Sequence, residues 1–266
     1  MADKDAPIRP LPFRGGGFQH VPRAWAAVLG LALLIAIWQL AGQLRWVSPI
    51  FLPSPEAILR ALYGLLESGA LAGHVIASLK RILGGFALGA AVGVAVGLAI
   101  GLVSLARSVG MPIVSALFPI PKIAVLPLFI LWFGIGEPSK IATIALGVFF
   151  PTVIATASGV DAVPRNLIRM AQSFNLPAHA IVLKIVLPGA LPGILAGFRI
   201  SASIALILVV AAEMIGAEKG IGAFVLTAGN LMQTDQLLAG VTLLSVLGLI
   251  VGAGLTRLER WLLAWR

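Results

Sequence analysis

The chain has 266 residues, of which 59% are hydrophobic and 11% are charged, with a formal net charge of +9 and no cysteine. Soluble domains carry roughly 25% charged residues, so this composition excludes an ordinary soluble domain and is typical of a membrane protein. The absence of cysteine excludes disulfide bonds and thiolate chemistry, and the scattered basic residues make nucleic acid an unexpected partner.

A polar segment opens the chain and apolar runs follow it. Residues 1–23 are rich in Gly, Pro and basic residues, and we interpret them as a cytoplasmic tail that precedes a transmembrane domain over 24–266. The run 24–44 is long enough for an uncleaved first span; a cleaved signal peptide is the alternative, but no clear cleavage site is present. A helix start and apolar i, i+3, i+4 spacing at 54–67 predict a short amphipathic helix at the membrane interface.

Five further apolar runs complete an all-α, polytopic membrane protein with about six transmembrane helices. These runs are 82–104, 109–133, 140–160, 190–212 and 236–256. If the N-terminus is cytoplasmic, eleven basic residues lie on the inner side: Lys4, Arg9, Arg14, Arg23, Arg107, Arg165, Arg169, Lys184, Arg257, Arg260 and Arg266. Six lie on the outer side: Arg45, Arg60, Lys80, Arg81, Lys140 and Lys219. Because Lys and Arg accumulate on the cytoplasmic side, both termini and the loop 161–189 are predicted to be cytoplasmic.

The second span carries glycine at every fourth position. The glycines are Gly85, Gly89, Gly93, Gly97 and Gly101. On a helix they form a groove without side chains, into which a neighbouring backbone can pack closely. Tight helix packing within one subunit is the favoured interpretation, and a sliding or dimer contact is the alternative.

The third span contains four prolines and a lysine. Each proline removes a backbone donor, so the freed carbonyls must face protein or a water-lined path. Lys122 lies among them in apolar sequence, where a charge requires a partner or a function. Either it reaches an interface or pairs with Glu213, or it lines a path for an anion.

The loop 161–189 is polar and is predicted to form a helix-turn-helix. Asp161 is a possible N-cap, although the nearby proline also allows a start at 163. An apolar stripe follows on the first helix: Leu167, Met170, Ala171 and Phe174. Leu176 and Pro177 turn the chain, and a second helix leads to Pro188. A stripe of this kind favours docking to a groove of a soluble partner over DNA binding.

Two charges bracket the fifth span, Arg199 towards the inner side and Glu213 near the outer mouth. They lie about 21 Å apart along a helix, so they cannot pair with each other. Structural pairing with other groups is favoured over solute contact for both. Lys122, Arg199 and Glu213 are the candidates for the translocation path.

Catalytic signatures are absent from the sequence. It contains no phosphate-binding G-x-x-x-x-G-K-[ST] motif, no H-E-x-x-H and no G-x-S-x-G. The three histidines, His20, His74 and His179, are far apart. We therefore expect no enzyme activity, metal or cofactor in this chain, although an intramembrane hydrolase built from scattered Ser and His stays open.

The polar loop resembles the signature loop of ABC importer permeases, E-A-A, three residues, Gly, nine residues, Ile, any residue, Leu-Pro. Arg169, Met170 and Ala171 occupy the E-A-A positions and Asn175 the glycine position. Ile185, Leu187 and Pro188 complete the pattern. Asparagine tolerates the left-handed conformation that glycine supplies at a helix end, whereas arginine in place of glutamate reverses a charge.

Four further segments are similar to permeases for nitrate, taurine and aliphatic sulfonates: FLPSPEAIL, SLKRILGGFALG, LPLFILWFGIGEPSKI and AAEMIGAEKGIG. The resemblance implies a type I importer fold in a bacterial inner membrane and a small anionic solute of sulfonate, taurine, nitrate, bicarbonate or aromatic-acid type. It also implies a second permease copy or homologue, two ATPase subunits that bind ATP and Mg, and an extracytoplasmic solute-binding protein. The loop 163–188 would couple ATP binding to the spans. A secondary transporter or channel without an ATPase is the alternative.

Overall fold

The computed structural model describes residues 24–265, so the predicted tail 1–23 lies outside the described residues. The described residues form helices, turns and irregular segments and contain no β-strand, which confirms the all-α prediction. They divide into two compact units with a boundary between residues 57 and 58.

The first unit holds α1 (Ala24–Gln43) and the start of α2 (Pro55–Glu67). The indole Nε1 of Trp38 donates to the carbonyl of Pro53 over 3.1 Å. The amide of Gln39 exchanges two hydrogen bonds of 3.2 Å with the backbone N–H and carboxylate of Glu56. These contacts attach the start of the predicted amphipathic helix to the end of the first span.

The second unit contains the remaining helices. They are α3 (Ala70–Leu102), α4 (Ser104–Leu117), α5 (Leu126–Phe133), α6 (Glu137–Asp161), α7 (Arg165–Ser173), α8 (Ala178–Ile181), α9 (Leu187–Met214), α10 (Ile221–Asn230) and α11 (Thr234–Leu262). A π-helical turn, Val182–Val186, joins α8 to α9. The result is one apolar helical segment over Ala178–Met214.

Five helical segments between residues 24 and 265 are long and apolar enough to cross a membrane, and a bent pair of helices makes a sixth. This agrees with the predicted count, but two spans begin well before their predicted starts and one span is broken. The second span starts at residue 70 rather than 82, and the fifth at 178 rather than 190. The third consists of two pieces, Ser104–Leu117 and Lys122–Phe133, that meet at 91°.

Prolines account for the break in the third span. Pro119 and Pro121 lack the backbone N–H that a continuing helix needs, and each disfavours the helical conformation of the residue before it. The helix α4 therefore ends at Leu117, and a short 3₁₀ turn, Lys122–Val125, leads into α5. The C-terminal carbonyls of α4 are left without helical partners.

The helix α6 lies between α3 and α9 and forms the centre of the second unit. All five glycines of the stripe on α3 face α6 so closely that a methyl group at any of them would overlap it. At Gly93, for example, an added Cβ would lie 2.8 Å from the Cβ of Thr152. The stripe therefore makes an internal packing surface in this chain.

Candidate functional site

The loop 161–189 begins with an ion pair rather than a capped helix. The carboxylate of Asp161 accepts two hydrogen bonds of 2.7 Å from the guanidinium of Arg107. Asp161 is the last residue of α6, and α7 begins at Arg165 after Pro164. The predicted N-cap at Asp161 and the alternative start at 163 are therefore both wrong, because the side chain of Asp161 is bonded to a neighbouring helix.

Asn175 ends α7 in the expected left-handed conformation, with φ +54°. The N–H of Leu176 donates to the carbonyl of Ala171 over 3.2 Å, which closes the last turn. Pro177 then starts the next helix. The predicted second helix of the loop is not separate, because its residues form the first turns of the long segment Ala178–Met214.

Ala171 departs from the expected surface stripe. It is only 1% exposed and belongs to a buried apolar cluster with Val160, Ile181 and Val186. The residues that pack against this cluster include Ile168, Ile185 and Leu187. Ala171 therefore fixes α7 to the spanning helices instead of facing outward. Pro188, half-buried, lies in the first turn of α9.

The outward side of α7 presents an apolar face made of Leu167, Met170 and Phe174. These side chains are 38%, 52% and 73% exposed. Their i, i+3, i+7 spacing places them on one flank of the helix. Arg165 and Arg169 are exposed on the same helix and form no ion pair within residues 24–265. This apolar face of α7 is a surface on which a partner can dock.

At the opposite end of the bundle, Glu213 is enclosed in polar contacts. One carboxylate oxygen accepts a hydrogen bond of 2.8 Å from Arg81 Nη1, and the other accepts one of 2.8 Å from the N–H of Gly222. The hydroxyl of Ser78 lies 2.8 and 2.9 Å from the two oxygens. Because an added Cβ at Gly220 would overlap this carboxylate, the connection between α9 and α10 wraps closely around Glu213.

Arg81 is the centre of this network. Its Nε and Nη2 donate to the carboxylate of Glu137 over 2.7 and 2.5 Å. Its Nη1 also donates to the carbonyl of Lys219 over 2.6 Å. The residue is 3% exposed, whereas the side chain of Glu137 is 58% exposed. Arg81 thus connects α3, α6 and the connection after α9.

The sequence analysis does not single out Arg81 as a site residue, because a charge at this position marks a plausible boundary of the second span. A signal was nevertheless available. Ser78, Arg81, Gly85 and Gly89 are spaced by three, four and four residues, so they lie on one helix face. A polar pair that continues a packing stripe indicates buried groups that need partners.

Lys122 lies at the break of the third span and is hydrogen-bonded to backbone carbonyls there. Its ammonium donates to the carbonyls of Leu117, Phe118 and Ile120 over 2.8, 3.0 and 2.7 Å. It also lies 4.3 Å from the ring centre of Phe150. Since these carbonyls follow the end of α4, Lys122 caps that helix. The proposed pairing of Lys122 with Glu213 is wrong, because Glu213 is bonded elsewhere.

Arg199 also has a local partner. Its guanidinium pairs with the carboxylate of Glu259 on α11 and lies 3.4 Å from the hydroxyl of Thr256. The three path candidates, Lys122, Arg199 and Glu213, are therefore not brought together. Each is held by a different set of groups.

Comparison with known proteins identifies the family. Residues 70–264 match the family of binding-protein-dependent transport system inner membrane components. The chain is 40% identical over 235 residues to SsuC of Bacillus subtilis strain 168, named as an aliphatic sulfonates transport permease, covering 88% of this chain and 85% of that one. It is 39% identical over 241 residues to the taurine transport system permease TauC of Escherichia coli K12, covering 88% and 87%. A solved structure of the MetNI methionine ABC transporter covers 72% of this chain and 95% of its own, with TM-score 0.63 and 23% identity.

The fold and the family match define a multi-pass membrane permease of the ABC importer class, and the chain belongs to the binding-protein-dependent transport system inner membrane component family. Within it, the chain belongs to the branch that contains the taurine and aliphatic-sulfonate permeases. The relatives are transport permease subunits rather than enzymes. The structural likeness agrees with the predicted type I importer fold.

Proposed function

We propose that this chain forms the translocation path of an ATP-driven importer for a small anionic solute of the sulfonate or taurine type. A solute-binding protein delivers the solute, and two ATPase subunits supply the energy. The relatives named for taurine and aliphatic sulfonates support this solute class. Nitrate, bicarbonate and aromatic acids are the wider set to test.

The observation that carries the proposal is the apolar face of α7. Phe174 and Met170 are exposed at the end of a short helix whose other side is held by the buried Ala171. An exposed apolar helix face fits a groove in a partner. Because α7 is fixed to the start of the segment Ala178–Met214, a partner that moves α7 also moves a spanning helix. ATP and Mg belong to the ATPase subunits.

The same proposal includes an orientation in the membrane. The excess of basic residues at the end of the bundle that carries α7 favours that end as cytoplasmic. Both termini then lie in the cytoplasm of a bacterial cell, and the network around Arg81 faces the solute-binding protein. A second copy of this permease completes the path. Contact of Lys122, Arg199 or Glu213 with solute requires each to exchange its present partners.

The experiment is uptake by proteoliposomes that contain the permease, its ATPase and its binding protein. We expect ATP-dependent, vanadate-sensitive uptake of labelled taurine or an alkanesulfonate. Phe174→Glu should abolish ATPase co-purification and uptake, because a charge would enter an apolar groove. Gln172→Glu is the matched control, since it adds the same group on the opposite flank of α7, and it should retain both.

Three results would contradict separate parts of the proposal. Coupled uptake of another solute, without taurine or sulfonate uptake, overturns the solute class alone. Full ATPase binding by Phe174→Glu overturns the docking face. Uptake by the permease alone, without ATPase or ATP, favours the secondary transporter instead.

A further inference from the structure

The last turns of α11 carry a basic and aromatic groove that lies outside the residues on which the proposed function rests. Its volume is about 690 Å³, and it is lined by Ala253, Thr256, Arg257, Arg260 and Trp261. The two arginines are one turn apart, so their side chains project in similar directions. Trp261 is 74% exposed beside them.

These two arginines differ from the others at this end of the bundle that carry partners. Arg107 is paired with Asp161 and Arg199 with Glu259. Within residues 24–265, Arg257 and Arg260 have neither an ion pair nor a hydrogen bond to their side chains. Two adjacent, exposed guanidinium groups repel each other and favour binding of an anion.

The position of the groove along α11 matches the headgroup region of a bilayer. At 1.5 Å per residue, Arg257 lies about 35 Å along the helix from Thr234. The hydrocarbon core is roughly 30 Å thick, so the two arginines lie just beyond it when the helix spans. Tryptophan is enriched at this depth because its ring is apolar and its N–H is polar.

An apolar track leads from the groove towards the membrane centre on the same face of α11. At 100° per residue, the face of α11 that carries Arg257 and Arg260 also carries Val246, Leu249 and Ile250. They are 44%, 74% and 61% exposed. A ligand that is anionic at one end and apolar at the other therefore matches the whole face, whereas a soluble anion would use only the groove.

We propose that this face of α11 binds an anionic phospholipid. The guanidinium groups of Arg257 and Arg260 donate to the phosphate, which they can do with two hydrogen bonds each. The ring of Trp261 packs at the level of the glycerol, and one acyl chain lies along Leu249 and Ile250. A lipid with a net negative charge, such as phosphatidylglycerol, is favoured over zwitterionic phosphatidylcholine.

The test is lipid retention by the full-length chain. The purified permease is placed in nanodiscs of phosphatidylcholine with a minor fraction of phosphatidylglycerol, extracted gently and analysed by native mass spectrometry. We expect phosphatidylglycerol to be retained preferentially. An attraction of this kind gives about a fivefold effect for each arginine, so Arg257→Gln with Arg260→Gln should reduce retention by roughly 25-fold.

Two variants control for charge and folding. Arg257→Lys with Arg260→Lys keeps the charges and should retain most of the lipid. Arg165→Gln with Arg169→Gln removes the same charge from α7 and should leave retention unchanged. Neither ATP nor solute is present, so a failure of the transport proposal does not affect the result.

Three outcomes would overturn the inference. Equal loss in the α7 control would mean that retention reflects net charge rather than this site. Competition by soluble glycerol phosphate as effective as that by the lipid would mean that the groove binds phosphate alone. Unchanged phosphatidylglycerol retention by the Arg257→Gln, Arg260→Gln variant would mean that the two arginines do not hold the lipid.

Discussion

Arg81 and Glu213 form a buried ion pair between the second and fifth spans. Arg81 Nη1 lies 2.8 Å from the carboxylate of Glu213, and the two side chains are 4% and 0% exposed. The carboxylate of Glu213 also accepts hydrogen bonds from the hydroxyl of Ser78 and the N–H of Gly222. A buried charge is tolerated only when its partner is present, so these two residues depend on each other.

This dependence predicts a large effect of Arg81→Met. The substitution leaves Glu213 buried without a counter-charge, and we expect it to destabilise the chain by about 3–5 kcal/mol. Thermal unfolding in detergent measures the loss. The double variant with Glu213→Gln should recover much of it. Glu137→Gln should cost at most about 1 kcal/mol, because that carboxylate is half-exposed. A double variant as unstable as the sum of its parts would show that the pair is not coupled.

Gly93 should not tolerate a side chain. An added Cβ would lie 2.8 Å from Thr152 Cβ, so Gly93→Ala must separate α3 from α6. We expect a loss of about 1–3 kcal/mol despite the better helix propensity of alanine. Gly84→Ala is the matched control, since its Cβ would lie 3.6 Å from Ile141 and should be neutral or stabilising. Equal unfolding temperatures for the two variants would contradict the tight contact.

The sequence was informative wherever one residue type dominates a helix or a repeat. Apolar runs predicted the spans and the polar loop predicted α7, whereas the left-handed conformation of Asn175 was expected only from the resemblance to the importer signature loop. A helical repeat of glycine predicted a packing surface, because spacing alone defines a helix face. These features depend on local sequence.

The partners of the charges could not be predicted in this way. Glu213 is bonded to Arg81, 132 positions away in the chain. Lys122 donates to backbone carbonyls at the point where prolines end α4. Every residue has a backbone carbonyl, so the sequence does not indicate which carbonyls accept from this side chain. Burial of Ala171 likewise depends on α7 packing against α8 and the π-helical turn that follows it. Each of these contacts is set by tertiary packing.

Substitutions of Ala171 test whether this residue attaches α7 to the bundle or contacts a partner protein. Ala171→Asp buries a carboxylate among apolar side chains, so we expect α7 to detach and the unfolding temperature to fall. Ala171→Ser, a nearly isosteric change, should be much milder. Protease cleavage near residues 174–177 measures the detachment. If Ala171→Asp abolishes ATPase binding while α7 stays protected and the chain stays stable, Ala171 is a contact residue instead.

Asn175 requires a residue that accepts a positive φ. With φ +54°, Asn175→Ala should cost about 1–2 kcal/mol, whereas Asn175→Gly should be close to neutral. Thermal unfolding and uptake report the effect on the chain and on coupling. Alanine and glycine variants with the same stability would mean that this turn rearranges at no cost.

Lys122 is predicted to act as a helix cap. Lys122→Met removes an ammonium that donates to three carbonyls at the end of α4, of which the carbonyl of Leu117 also accepts from the N–H of Ile120. We expect a loss of about 1–3 kcal/mol in unfolding free energy, with a change in the bend between α4 and α5. Lys122→Arg, which keeps a charged donor, should lose less.

The transport kinetics of the same variant distinguish a helix-capping role of Lys122 from a role in the translocation path. If Lys122 only caps α4, proteoliposomes of Lys122→Met that remain folded should show an unchanged KM for the anionic solute and a lower unfolding temperature. If the ammonium leaves its carbonyls to contact the anion, KM should rise while the unfolding temperature stays near that of the unsubstituted chain. Because the three hydrogen bonds occupy all three ammonium donors, we expect the first result.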